Sequence, residues 1–506
     1  MGNRRDFLAD VGRGMLVASI GPALAADLGL APAFAKDTPD KLDFGKLEPL
    51  AAFLQDTPTD RLMPELVKKL KDGTDLKTLV AAGSLANARE FGGQHYEGYH
   101  TFMALAPAYE MSRELPESTR ALPVFKVLYR NATHIQAKGG RKNEALHPVS
   151  ATPLPEGQAP GEAIREACRK NERAAAEGMF ATLAKGPPAE AFDQLQDTVH
   201  DDVNVHRTVL AWRAWKMLDF TGPEHAHTLL RQSVLFCCRE RARQDRLVQN
   251  TLTKLLDQYK LMGKKPGTRA GDDAWVENLA KVIYAEGRER AADAVAAALA
   301  EGFAPDAISE AMALAANQLV LRDPGRNQAD GAKQKGSVHG DSPGVHASDA
   351  ANAWRHIAQV SSSRNTFASL IVGAFHTAGQ SGGQLKDPYP LASNLNQIKT
   401  SDPAELLKLT EAAVKEQDQA MACALVQKYG ELGHAARPVF DVLLKYAVSE
   451  DGALHAEKYY RTVTEEFGAN RPTFRWRQLV SLARVTASEC GKPAPGVEEA
   501  RRLMGA

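Results

Sequence analysis

Cysteine is scarce in this chain and badly spaced for chemistry. The 506 residues hold five, Cys168, Cys237, Cys238, Cys423 and Cys490, with no CxxC pair and none followed directly by histidine. That excludes zinc-ribbon and iron–sulfur spacing and c-type haem attachment. An odd number leaves at least one thiol unpaired in a monomer, and buried structural thiols are expected. Net charge is lacking as well: 62 basic residues balance 62 acidic ones. This gives no electrostatic basis for nucleic acid or an anionic membrane as a partner, and neither is expected. HExxH, the P-loop and the dinucleotide fingerprint are all absent, so none of these motifs names a reaction.

No long hydrophobic run is present either. Residues 14 to 34 are weakly apolar, but Pro22, Asp27 and Pro32 interrupt them and Arg13 precedes them, whereas an anchor needs about 20 continuous apolar residues. The same stretch follows the twin-arginine motif Asn3-Arg4-Arg5-Asp6-Phe7-Leu8 and ends in the small-x-small site Ala33-Phe34-Ala35. Residues 1–35 therefore read as a twin-arginine signal peptide cleaved after Ala35. The twin-arginine export machinery is the expected partner, the location is periplasmic or otherwise exported, and no membrane anchor is expected after cleavage. This route carries folded proteins and favours chains loaded with a cofactor beforehand.

What remains is rich in Ala, Leu, Glu, Lys and Arg, with helical spacing such as Leu62, Leu66, Leu70 and few period-two segments. The fold class expected is all-α. Gly, Pro, Ser and Asn gather at 139–161, 262–272, 323–345 and 377–394, which read as loops. The second divides the chain into a helical half over 36–262 and another over 273–506.

These halves resemble each other. Leu70, Gly73, Leu79, Leu85 and Ala86 match Leu299, Gly302, Ile308, Leu314 and Ala315 without a gap. The loop from Gly92 to His100 returns as Gly336 to His346, pairing His95 with His339 and His100 with His346. Phe125–His134 and Phe367–His376 share one separation, as do His206–His227 and His434–His455. An internally duplicated helical bundle about a pseudo-twofold axis is the expectation, and a short-period solenoid is disfavoured.

Imidazole is the commonest transition-metal ligand. His346, Asp349 and His356 share one helix stripe, and two imidazoles with a carboxylate is the ligand set of non-haem iron sites. The corresponding first-half stripe is His100, Met103 and Glu110. Because a helix separates His206 from His227, those two cannot share one ion. One half is expected to hold the site while the other supports it. Trp212, Trp215 and Trp354 read as core or pocket wall, and Arg239 to Arg246 as a solvated helix face.

Histidine-rich loops feeding Ala/Leu-rich helices, with His-x-x-x-x-His at His95 and His100, resemble the helical questin oxidase-like proteins. The likeness covers scattered segments, the family's tighter histidine pair is missing, and no residue role transfers. The functional expectation is an oxidoreductase acting on a small-molecule substrate through a transition metal, iron or copper before zinc. Its ligands are His95, His100, His134, His339, His346, Asp349, His356 and His376, with Glu97, Glu110 and Asp341 moving protons or supporting ligands. The alternatives are a non-catalytic helical scaffold with structural histidines and a metal-independent enzyme using histidine as base.

Overall fold

Proline and capping side chains set where the helices begin. Pro160, Pro188, Pro305, Pro343, Pro403 and Pro472 each open a helix, where a missing N–H costs nothing. Asp75, Asn204, Asp272, Ser342, Asp402 and Asp418 accept from first-turn N–H groups, satisfying donors that the helix cannot. The computed structural model describes residues 41–329, 334–338, 340 and 342–505. The signal-peptide assignment over 1–35, His339 and Asp341 lie outside the described residues. The chain divides at Asp43, and every described helix belongs to the single unit that starts at Phe44.

The fold is all-α. Among the described residues there is no β-strand, only two isolated bridges, Arg269–Phe303 and Glu450–Pro493. No helix among them is long and apolar enough to cross a membrane. Setting aside single turns at Leu218–Thr221 and Ala392–Leu395, the described α-helices fall into two runs of eleven. The first run is α1 (Glu48–Asp56), α2 (Thr59–Lys71), α3 (Leu76–Phe91), α4 (Tyr96–Ser112), α5 (Leu122–Ala137), α6 (Pro160–Lys170), α7 (Arg173–Leu183), α8 (Pro188–Val199), α9 (Val205–Lys216), α10 (Ala226–Arg239) and α11 (Leu247–Gln258). The second is α12 (Asp273–Ala285), α13 (Arg288–Ala300), α14 (Pro305–Leu321), α15 (Pro343–Val360), α16 (Ser363–Ala378), α17 (Pro403–Lys415), α18 (Gln419–Glu431), α19 (Arg437–Ser449), α20 (His455–Ala469), α21 (Pro472–Glu489) and α22 (Val497–Met504). The expected loop at 262–272 falls between helices, and those at 139–161 and 377–394 do so apart from their ends and the short turns at Gly140–Lys142 and Ala392–Leu395. The expected helix face Arg239 to Arg246 does not form, because α10 stops at Arg239 and an irregular, largely exposed segment succeeds it.

Packing within the runs obeys one pattern. α3 packs on α4, α4 on α5, α7 on α10 and α9 on α10, as α14 does on α15, α15 on α16, α18 on α21 and α20 on α21. The runs also exchange elements: α11 lies against α13 and α16, while α22 lies against α2 and α5. Between the runs α9 crosses α15 and α20 crosses α4. Their cores are therefore continuous, with Trp354, Phe102, Phe125, Tyr459 and Tyr460 fully buried.

Candidate functional site: a cluster of four imidazoles

The crossing of α4, α9, α15 and α20 brings four histidines together, one from each helix. Ring centroids lie 4.7 Å apart for His100–His206, 5.5 Å for His206–His346, 5.6 Å for His346–His455 and 5.2 Å for His455–His100. The four rings thus close a quadrilateral to which each run contributes two. The expectation placed the site in one half with the other supporting it, whereas this cluster draws on both runs.

Local sequence explains how each ring is delivered. α3 ends at Phe91, and Gly92 and Gly93 turn the chain with φ of +53° and +73°. A Cβ on Gly93 would sit 2.5 Å from the Gln232 carbonyl oxygen, so only glycine lets this loop press onto α10 and aim α4 inward. Asn204 caps α9, accepting from the N–H groups of His206 and Arg207, which places His206 in the first turn. Ser342 does the same for α15 through Val345. His455 opens α20 after Ala453 and Leu454, two non-glycine residues at φ +48° and +66°, a strained approach of the sort held in place at functional sites. Gly340 makes room for it, since a Cβ there would lie 2.7 Å from the His455 Cβ.

Hydrogen bonding fixes one tautomer. His100 Nδ1 lies 2.8 Å from the Tyr96 carbonyl oxygen. A carbonyl only accepts, so Nδ1 carries the proton and a neutral His100 offers its Nε2 lone pair to the cluster. His206 Nε2 stands 3.2 Å from that lone pair and donates to it. His346 Nε2 is buried with no hydrogen-bond partner. All four rings are held neutral. Burial, then the charge of Lys458, pushes His206 and His346 down to about 3, and the same two causes hold His100 and His455 far below the ordinary imidazole value. Lys458 is itself buried, which lowers its ammonium to about 8 against the raising effect of Asp349 and Glu457.

On the outer side Tyr96 lies over His100, tilted by 33° with centroids 3.9 Å apart, and is 50% exposed. His100 and His455 are buried, whereas His206 and His346 are partly exposed. Tyr99 stands 5.0 Å from both His100 and His206.

Of the residues singled out from sequence, His100 and His346 belong to this cluster. The stripe His346, Asp349, His356 does share a helix face but does not converge. Asp349 is buried and accepts from the Thr462 hydroxyl at 2.7 Å, while His356 stacks on Trp212 at 4.7 Å and faces Glu465 at 3.3 Å. His376 is buried and accepts from Trp354 Nε1 at 3.4 Å through Nδ1. His95 is exposed, edge-on to Phe91, and His134 is half-buried near the end of α5. Glu97 is exposed in the first turn of α4, and Glu110 pairs with Arg113. The two members missed were His206 and His455. Their shared signal is a histidine opening a helix directly after a cap or turn, Asn204-Val205-His206 and Gly452-Ala453-Leu454-His455. The 21-residue spacing had matched them instead to His434, which lies against Tyr429 between α18 and α19, and to His227, which lies against Phe180.

Among the described residues, no three His, Cys, Asp or Glu side chains stand as a ready ligand set for a metal ion. A separate cavity of about 680 Å³ between α12, α14, α18 and α21, lined by Tyr284, Arg322, Tyr389 and Trp476, carries no histidine. Comparison of the chain with family models, with curated proteins and with solved structures finds no match.

Proposed function

We propose that the protein binds one transition-metal ion between His100, His206, His346 and His455, and that this centre serves an oxidoreductase acting on a small molecule admitted beside Tyr96. The observation that carries the reading is the closed ring of four neutral imidazoles with His100 Nε2 and His206 Nε2 at 3.2 Å. Two nitrogens bound to one tetrahedral ion at about 2.05 Å would stand about 3.3 Å apart. The proton that His100 places on Nδ1, toward the Tyr96 carbonyl, is the support a ligating histidine ordinarily has. Metal capture on this reading requires the His346 and His455 rings to turn toward that nitrogen pair. Imidazole donors suit copper, iron, nickel and zinc, with copper(II) bound tightest. The redox assignment rests on the likeness to questin oxidase-like proteins, and the exported setting on the N-terminal twin-arginine segment. The recurrent packing of the two runs supports reading them as copies of one unit.

The test is metal content and visible absorption of the protein purified without chelator or affinity metal, repeated after reconstitution. The reading expects about one ion per chain, lost in the His100→Ala, His455→Ala double variant. No bound ion after reconstitution would overturn it.

The His206-to-His100 hydrogen bond favours a second reading, in which the pair acts without metal as a base on an organic substrate. A metal-free but active enzyme would select it.

A further inference from the structure

We propose that Cys168 and Cys238 are joined by a disulfide bond in the mature protein. All five cysteines are buried, and each is a thiol in the structure. The Cys168 and Cys238 sulfurs stand 3.0 Å apart, about 1 Å beyond the length of a disulfide bond. Cys423 points elsewhere, toward the Val480 carbonyl oxygen at 3.4 Å, and Cys237, the chain neighbour of Cys238, is buried without such an approach to Cys168.

The surroundings hold the pair in register. Cys168 lies two residues before the end of α6 and Cys238 one before the end of α10, and the two helices pack on each other. Polar ties fix the same corner: Arg169 pairs with Asp201, and Arg207 donates to the Thr198 and Glu240 carbonyl oxygens. Closing the sulfur gap is therefore a local side-chain adjustment rather than a helix movement.

Burial also dictates when the bond forms. Cys168 is 3% exposed and Cys238 0%, and the hydrogen bond from Cys238 together with burial holds the Cys168 thiol protonated. A protonated, buried thiol is a poor nucleophile. On the folded chain that the twin-arginine route delivers, the bond is made when the ends of α6 and α10 part transiently, by exchange with an external disulfide: one Sγ–Sγ bond forms, the external S–S bond breaks, and its two halves leave as thiols carrying both hydrogens. The oxidant is a low-molecular-weight or protein disulfide, the kind an oxidising compartment supplies. The closed loop spans about 70 residues, a length at which a cross-link strongly restricts the unfolded chain. It encloses α7, α8 and α9, and so holds the helix that carries His206.

The experiment is thiol counting on the full chain refolded in a mixture of reduced and oxidised glutathione. The protein is denatured without reductant, alkylated with iodoacetamide and weighed intact. Three added groups are expected, rising to five after reduction, with a proteolytic map linking the peptides of Cys168 and Cys238. The Cys237→Ser variant should show two groups before reduction and four after. Five groups before reduction, or a link through Cys237, Cys423 or Cys490, would overturn the proposal.

Discussion

Lys126 offers the sharpest energetic test of how the two runs hold each other. It belongs to α5, and its Nζ reaches Glu457 Oε1 at 2.7 Å in the first turn of α20, two residues past His455. The same ammonium donates to the carbonyl oxygens of Ala447 and Glu450 at 2.9 and 2.7 Å, at the end of α19. The side chains are 3% and 0% exposed, and beyond this ion pair no hydrogen bond reaches the Glu457 carboxylate. Lys126→Met keeps the length of the stem and removes the charge. It strands a buried carboxylate, which costs about 3–5 kcal/mol, and it deprives two carbonyls of a donor at about 1 kcal/mol each. The nearby charge of Lys458 offsets part of this, so the expected loss is about 4 kcal/mol in urea unfolding at pH 7 monitored by far-UV circular dichroism. Replacing both partners, Lys126→Met with Glu457→Met, should recover most of it, because the stranded charge is then gone. A loss under about 1 kcal/mol in the single variant, or a double variant no more stable than the single, would refute the reasoning.

Two further outcomes come from the buried histidines. His200, His206 and His346 are pushed down to about 3 and His376 to about 4, in each case chiefly by burial, whereas the unfolded chain titrates near 6.5. The unfolded state therefore binds protons first as the pH falls. The contribution of each such histidine is flat above about 6.5, and by pH 5 it has dropped by about 2 kcal/mol. Urea midpoints of the metal-free protein from pH 8 to 5 should show this, and an unchanged midpoint at pH 5 would contradict the buried neutral rings. Gly340→Ala forces a methyl to within 2.7 Å of the His455 Cβ. It should cost about 1–3 kcal/mol and lower metal occupancy, whereas a variant with unchanged melting temperature and metal content would show that His455 is not seated through this contact.

Helix content and loop positions were legible because they depend on local composition: the Pro- and Gly-rich segments at 139–161 and 262–272 lie between helices, as breakers do. The site was half legible. His100 and His346 stood out because the loops before them resemble each other. The stripe through Asp349 to His356 obeyed helix geometry and still failed, because ten residues of α-helix carry His356 about 15 Å along the axis from His346, beyond the reach of one ion. His206 and His455 were hidden because their meeting depends on α9 crossing α15 and α20 crossing α4, and no spacing along the chain encodes a crossing.

That crossing also explains why the site belongs to the chain as a whole. One run alone brings together two imidazoles, His100 with His206 or His346 with His455, and leaves their inner faces uncovered. With both runs present, each pair covers the other, and burial is the first cause that holds all four rings in the neutral form. α11 and α22 reinforce this by packing across to the opposite run, so separating the runs would expose apolar faces as well as the histidines. The half-exposed ring of Tyr96 lies over His100, and His206 and His346 are themselves partly exposed. Tyr96 and His100 are positioned together where α4 begins, by the turn at Gly92 and Gly93.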